Sequence, residues 1–185
     1  MRKLLVVKIK NGFTLIETIS AIFIILIGLI GGLTLITRTI SFMSLASSRL
    51  AASYLTQEGI EIVRNIRDTN WLEGSGTSWD EGLTECSTTG CVADYKHSYG
   101  PDQLDPILPT YSSQFLNVDV DGFYSYDSSG SSTKFTRKIT IIPNDTDDEG
   151  YSPIVDVLVS VQWQQLGKSH TVSAREYLYD WYNQP

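Results

Sequence analysis

The chain has two cysteines and two histidines in 185 residues. Their spacing fits no Cys/His zinc motif, and they leave little for a catalytic triad. It contains no GxSxG elbow, no phosphate-cradling glycine loop and no HExxH helix. His97 and His170 are far apart and neither stands in a motif. The carboxylates are scattered through loop-like sequence, so no enzyme activity and no cofactor are expected. Basic residues are also short: 14 Lys+Arg stand against 21 Asp+Glu, a formal charge of −7. A nucleic-acid binder of this size carries a basic face, so none is expected here. Hydrophobic residues make up 42% of the chain, enough for one domain with a core but not for two large ones.

The charge that is present is unevenly placed. Residues 1–12 hold Arg2, Lys3, Lys8 and Lys10 and no acid, and from Thr18 to Thr37 there is no charge of either sign. Twenty residues rise about 30 Å as a helix, the thickness of a hydrocarbon core. The basic flank precedes the run, which predicts a single span with its N-terminus inside and the remainder outside. A cleaved secretory signal is the rival, since Ser44-Leu45-Ala46 offers small residues for a signal peptidase. Against it, the run exceeds the 7–15 apolar residues of a usual signal core. An acid, Glu17, also stands at its entrance, where a carboxylate is costly in lipid.

Lys10-Asn-Gly12-Phe13-Thr-Leu-Ile-Glu17, followed at once by the apolar run, resembles the type III signal of type IV prepilins and pseudopilins. The resemblance implies cleavage by a membrane aspartyl peptidase between Gly12 and Phe13. It also implies N-methylation of Phe13 and a role for Glu17 as the acid near the mature N-terminus. The chemistry is compatible. Glycine lies extended in a narrow cleavage site without a side chain to accommodate, and a cut before the apolar run keeps the anchor. Glu17 would then pair with the Phe13 ammonium of an adjacent subunit and set the register of stacked helices, since opposite charges attract strongly in lipid; an unpaired interfacial acid is the alternative. Loss of the leader leaves 10 Lys+Arg against 21 Asp+Glu, a mature charge of −11, which points to protein surfaces or cations as partners of the exported part rather than anionic lipid.

Residues 38–67 contain no proline and one glycine, Gly59. Leu45, Ala52, Leu55, Ile62, Val63 and Ile66 recur at helical spacing, with Arg49, Gln57, Glu58, Glu61, Arg64 and Arg67 mostly between them. This predicts one helix from about Thr14 to about Asp68, half apolar throughout and half amphipathic. Gly28, Gly31 and Gly32 soften the apolar half or permit close helix approach. Gln57-Glu58-Gly59-Ile60-Glu61, continuing through Arg64 and Arg67-Asp68, resembles a pattern in PilV-like minor pilins. The resemblance covers roughly residues 8–68.

Residues 69–133 are rich in Gly, Ser, Thr, Asp and Tyr and read as a variable, loop-rich region. Trp71, Leu72 and Trp79 are candidates to cap the core. Cys86 and Cys91, four residues apart in an exported domain, read as a local, peripheral disulfide of small energetic weight, with a free thiol pair as the alternative. Asn117, Asp119 and Asp121 resemble the start of a calcium loop, but the twelfth position is Ser128, so a strand–turn–strand is preferred. A second acidic run, Asn144 to Glu149, reads as a solvated hairpin loop.

Residues 134–185 alternate with period two. Phe135 to Ile142, Pro153 to Gln164 and His170 to Trp181 form three such segments, with Val155, Val157, Val159, Val161 and Trp163 on one face. The expected fold is α+β: a long N-terminal helix with its amphipathic half packed on a C-terminal antiparallel meander. The expected parts are a leader (1–12), a membrane or filament-core helix (13–37), an amphipathic helix (38–68), a loop-rich region (69–133) and a β head (134–185). The resemblance implies a low-abundance pilus subunit held first in the inner membrane lipid and then in an extracellular filament. Its implied partners are other pilin subunits, the prepilin peptidase and methyltransferase, and an inner-membrane assembly platform. A type II secretion pseudopilin, an anchored adhesin and, last, an exported hydrolase are the other readings.

Overall fold

A computed structural model of the chain describes residues 12–73, 78–96, 108–144 and 153–181. One α-helix, α1, runs from Leu15 to Glu73. Its strands are β1 (Phe115–Val118), β2 (Tyr124–Ser125), β3 (Ser131–Asn144), β4 (Ile154–Gln165) and β5 (Lys168–Tyr179), with a short 3-10 turn at Thr84–Cys86. They form one antiparallel sheet in the order β2-β1-β3-β4-β5. The chain divides into two compact units, one up to Ala46 and one from Ser47 onward.

In the first unit α1 is exposed almost throughout. Its mean hydropathy reaches 2.7 over a stretch long and apolar enough to cross a membrane. Its hydroxyls are satisfied within the helix: Ser20 donates to the Ile16 carbonyl, Thr34 to Ile30, Thr37 to Leu33 and Ser41 to Thr37. A polar group bonded to its own backbone presents little cost to an apolar surround.

In the second unit the amphipathic part of α1 packs on one face of the sheet. Ala52, Leu55, Ile62, Val63 and Ile66 are buried, as their spacing predicts, while Leu45 is half-buried; Ile62, Val63 and Ile66 share one cluster with Ile139, Ile141, Val155, Val157, Val159 and Leu178. The β4 alternation is complete, with Val155, Val157, Val159, Val161 and Trp163 all buried. Burying a valine side chain contributes on the order of 1.5–3 kcal/mol, so this one strand anchors much of the core. β4 and β5 join through Leu166 and Gly167, both at positive φ (54° and 72°), the backbone of a two-residue hairpin turn.

The expected α+β layout holds, with three corrections at its edges. The helix continues past Asp68 to Glu73. The sheet has five strands, and β3 starts at Ser131; the loop-rich region contributes β1 and β2. Cys91 extends the sheet further, bridging to both Thr110 and Ile139. Ordinary turns conceal such short pieces, because two to four residues carry too little periodicity to read.

Candidate functional site

The start of the helix places the expected cleavage junction outside regular structure. Gly12, Phe13 and Thr14 precede α1, and Phe13 is 81% exposed. Nothing lies within 4 Å of a Cβ built on Gly12. Residues 1–11 of the basic leader lie outside the described residues. Thr14 caps the helix: its Oγ1 accepts a hydrogen bond from the Glu17 amide at 3.3 Å, and its carbonyl accepts from the same amide at 3.1 Å. Thr14-Leu-Ile-Glu17 is thus a capping-box sequence, with the acid in the first turn where the helix dipole favours it. The charge argument for Glu17 did not anticipate this cap; the Thr-x-x-Glu spacing was its signal.

The Gln57–Asp68 segment is where helix meets sheet; Gln57 is exposed, and Glu58, Gly59, Glu61, Arg64, Arg67 and Asp68 make specific contacts. Glu58 pairs with Arg137 of β3, Oε2 to Nη1 at 3.3 Å. Arg137 is fully buried and also donates to the carbonyls of Leu55, at 3.1 Å, and Ala93. One guanidinium therefore joins the helix, the sheet and the 91–94 segment. Gly59 lets the helix approach β4, since a Cβ there would stand 2.8 Å from Val159 Cγ1. Arg64 pairs with Glu61 and makes a two-pronged contact with Glu176 of β5, 2.7 Å to each oxygen. The Glu176 hydrogen bond is the main cause that holds the Arg64 pKa above its usual value. Arg67 pairs with Asp68 and lies 4.6 Å above the Trp71 ring.

Trp71 also meets Trp181 edge-on at 4.7 Å and donates to Asp180 at 3.3 Å, while Trp79 is buried beside it. These two tryptophans cap the core as expected. Leu72 does not; it faces solvent, because one step round the helix from Trp71 leads away from the sheet.

Cys86 and Cys91 form a disulfide. Its expected peripheral position is corrected: both cysteines are buried and belong to the core cluster. The Cys91 amide donates to the Ile139 carbonyl at 2.7 Å, and the Ile139 amide returns to Cys91 at 2.9 Å.

Asn117, Asp119 and Asp121 lie at the end of β1 and in the following turn, the strand–turn–strand preferred from sequence. The Asp119 carboxylate accepts from the amides of Asp121 and Phe123 at 3.0 and 2.9 Å and from the Tyr95 hydroxyl at 2.6 Å. The Tyr95 hydrogen bond, with those amides, depresses its pKa. Asn117 donates to the Asp127 carbonyl at 2.8 Å. Among the described residues no three His, Cys, Asp or Glu side chains converge to hold a metal. Comparison with protein-family models, curated proteins and solved structures returned no match. His170 stacks on Trp163 at 5.3 Å; His97 and residues 145–152, including most of the second acidic run, lie outside the described residues.

Proposed function

We propose that the chain is a low-abundance, type IV pilin-like subunit, cleaved and N-methylated at Phe13 and assembled into a pilus filament through its N-terminal helix. The observation that carries this reading is the order of features at the helix start. A basic leader, an exposed Gly12-Phe13 junction and a capped helix turn holding Glu17 stand in sequence before an uncharged run. The peptidase meets an unfolded dipeptide at the cytoplasmic face, and cutting there retains the anchor in the inner membrane. The new Phe13 ammonium and the Glu17 carboxylate of a neighbouring subunit then attract in a low-dielectric bundle and set the stacking register. The helix–sheet dock from Glu58 to Arg67 carries the head on this assembly helix, so the mechanism is packing and no catalytic chemistry enters.

The test is N-terminal mass spectrometry of the mature protein. N-methyl-Phe13 is expected, and Gly12→Val should block processing. A mature chain beginning at Ser47 would remove the reading. Glu17→Ala should still be cut yet be under-represented in sheared filaments. Loss of one partner of a buried pair costs about 3–5 kcal/mol, more than a hundredfold in incorporation. Co-purification with a secretion filament instead of a pilus would reassign the chain as a pseudopilin.

A further inference from the structure

Leu166 occupies a left-handed backbone position, φ 54°, at the tip of the β4–β5 turn, with 71% of its surface exposed. This is a costly place for a branched apolar residue, since such turns favour Asn, Asp or Gly. The turn lies at a defined end of the second unit. Lys134 Nζ donates to Ser48 Oγ of α1 at 2.6 Å and to Gln165 Oε1 of the turn at 3.1 Å. The turn is therefore beside the point where α1 begins to pack. The β1–β2 turn ends at the same side of the sheet, because Val118 pairs with Ser131, and its tip residue Val120 is 99% exposed.

Charge is sorted in the same way. The stretches of the second unit that meet at this end are Ser47–Gln57, Ser131–Thr136 and Val161–Val172, and none holds an Asp or Glu, although the mature chain would stand at −11. Arg49, Lys134 and Lys168 are exposed there. Among the described residues, Asp119, Asp121 and Asp127 are acids at this end, toward the opposite edge of the sheet at β1, β2 and their turns. Asp127 is paired with Lys96 at 3.1 Å and Asp119 with the Tyr95 hydroxyl.

We propose that this end of the head, with Leu166 as its apolar tip and Arg49, Lys134 and Lys168 around it, docks on an anionic lipid surface. The inference rests on the membrane-anchored reading above. The helical link from Thr37 to Ser48 is about 16 Å long. It keeps this end within that chain length of the apolar run, which gives a weak surface contact a high effective concentration. An apolar tip ringed by lysine and arginine matches an interface of acyl chains and anionic headgroups. Before assembly such docking would hold the head down; leaving the bilayer would release it.

The full chain in vesicles tests this. Leu166→Cys, with a polarity-sensitive fluorophore on the added thiol, is compared in phosphatidylcholine vesicles with and without phosphatidylglycerol; Leu72→Cys, on the last turn of α1, is the control. The 166 label should shift blue and be quenched by a bilayer-embedded quencher only in the anionic vesicles, and the label at 72 should not. Each basic side chain near such a surface favours the docked state about fivefold, so Lys168→Glu should lower the docked-to-free ratio about 25-fold. A 166 label that stays in water while the chain resists carbonate extraction overturns the docking and leaves the anchor intact. Equal burial in neutral vesicles, or burial that rises only with protein density, overturns it in favour of other contacts. A chain stripped by carbonate removes the membrane reading and the docking together.

Discussion

Gly59 of the helix and Val159 of β4 are held so close that a Cβ on the glycine would stand 2.8 Å from Val159 Cγ1 and 3.3 Å from Arg137 Cδ. Helix propensity alone makes Gly59→Ala stabilising by about 1 kcal/mol. The contact reverses that sign. Overpacking costs about 1–3 kcal/mol, so Gly59→Ala should lower stability in a urea titration of the detergent-solubilised chain, and Gly59→Leu should lower it further. A more stable Gly59→Ala would show that the helix and sheet can separate freely.

Among the described residues, Arg137 is the fully buried cation of the sheet's inner face, and Glu58 is its charged partner. Glu58→Ala leaves the guanidinium without that partner and should cost about 3–5 kcal/mol. The double variant Glu58→Leu with Arg137→Met should recover most of that loss, because an apolar pair of similar volume has no charge to desolvate. The double-mutant cycle is read from denaturation midpoints.

The disulfide closes a short loop, worth about 2–3 kcal/mol on chain entropy alone. Its sulfurs also sit in the core, and Cys91 exchanges two backbone hydrogen bonds with Ile139. Cys86→Ala with Cys91→Ala should therefore cost at least that amount. Amide hydrogen exchange should accelerate at Cys91 and Ile139 before it does so in β4. Uniform acceleration would show that the loop has no local role.

Asp127 and Tyr126 each contribute to one pH limb of the head's stability. Asp127 lies at about 2, lowered from 3.8 chiefly by the Ser129 amide and then by Lys96. Its folded pKa is depressed, so its contribution is present above about 3.8 and is lost as pH falls toward 2. Tyr126 is raised to about 12, chiefly by burial, and donates to the Arg137 carbonyl. Its contribution is present below pH 10 and is lost as pH rises toward 12. Tyr126→Phe should flatten the alkaline limb and Asp127→Asn the acid limb of a thermal-melt profile against pH. An unchanged limb in either variant would place that titration elsewhere.

The long helix, its buried face and the β3–β5 meander were legible because long periodic patterns report burial directly. Val155 through Trp163 alternate without a break, and Ala52 through Ile66 keep helical spacing. The uncharged run that follows Glu17 was equally plain, since charge and its absence are local properties of sequence. What stayed hidden depends on contacts between distant residues. Arg137 sits at an inward position of β3, where the alternation predicts an apolar side chain; its partners Glu58, Leu55 and Ala93 come from three separate segments. The disulfide was expected from two cysteines in an exported chain, but its place in the core was not, because burial follows from where Cys91 meets Ile139. Sequence by itself determined the long helix, its apolar run, the β3–β5 meander and their order, through periodicity and charge. Only the tertiary structure decided which polar groups are buried, which glycine is a point of closest approach and which turn carries an exposed leucine, because desolvation and packing belong to neighbours that chain distance does not reveal.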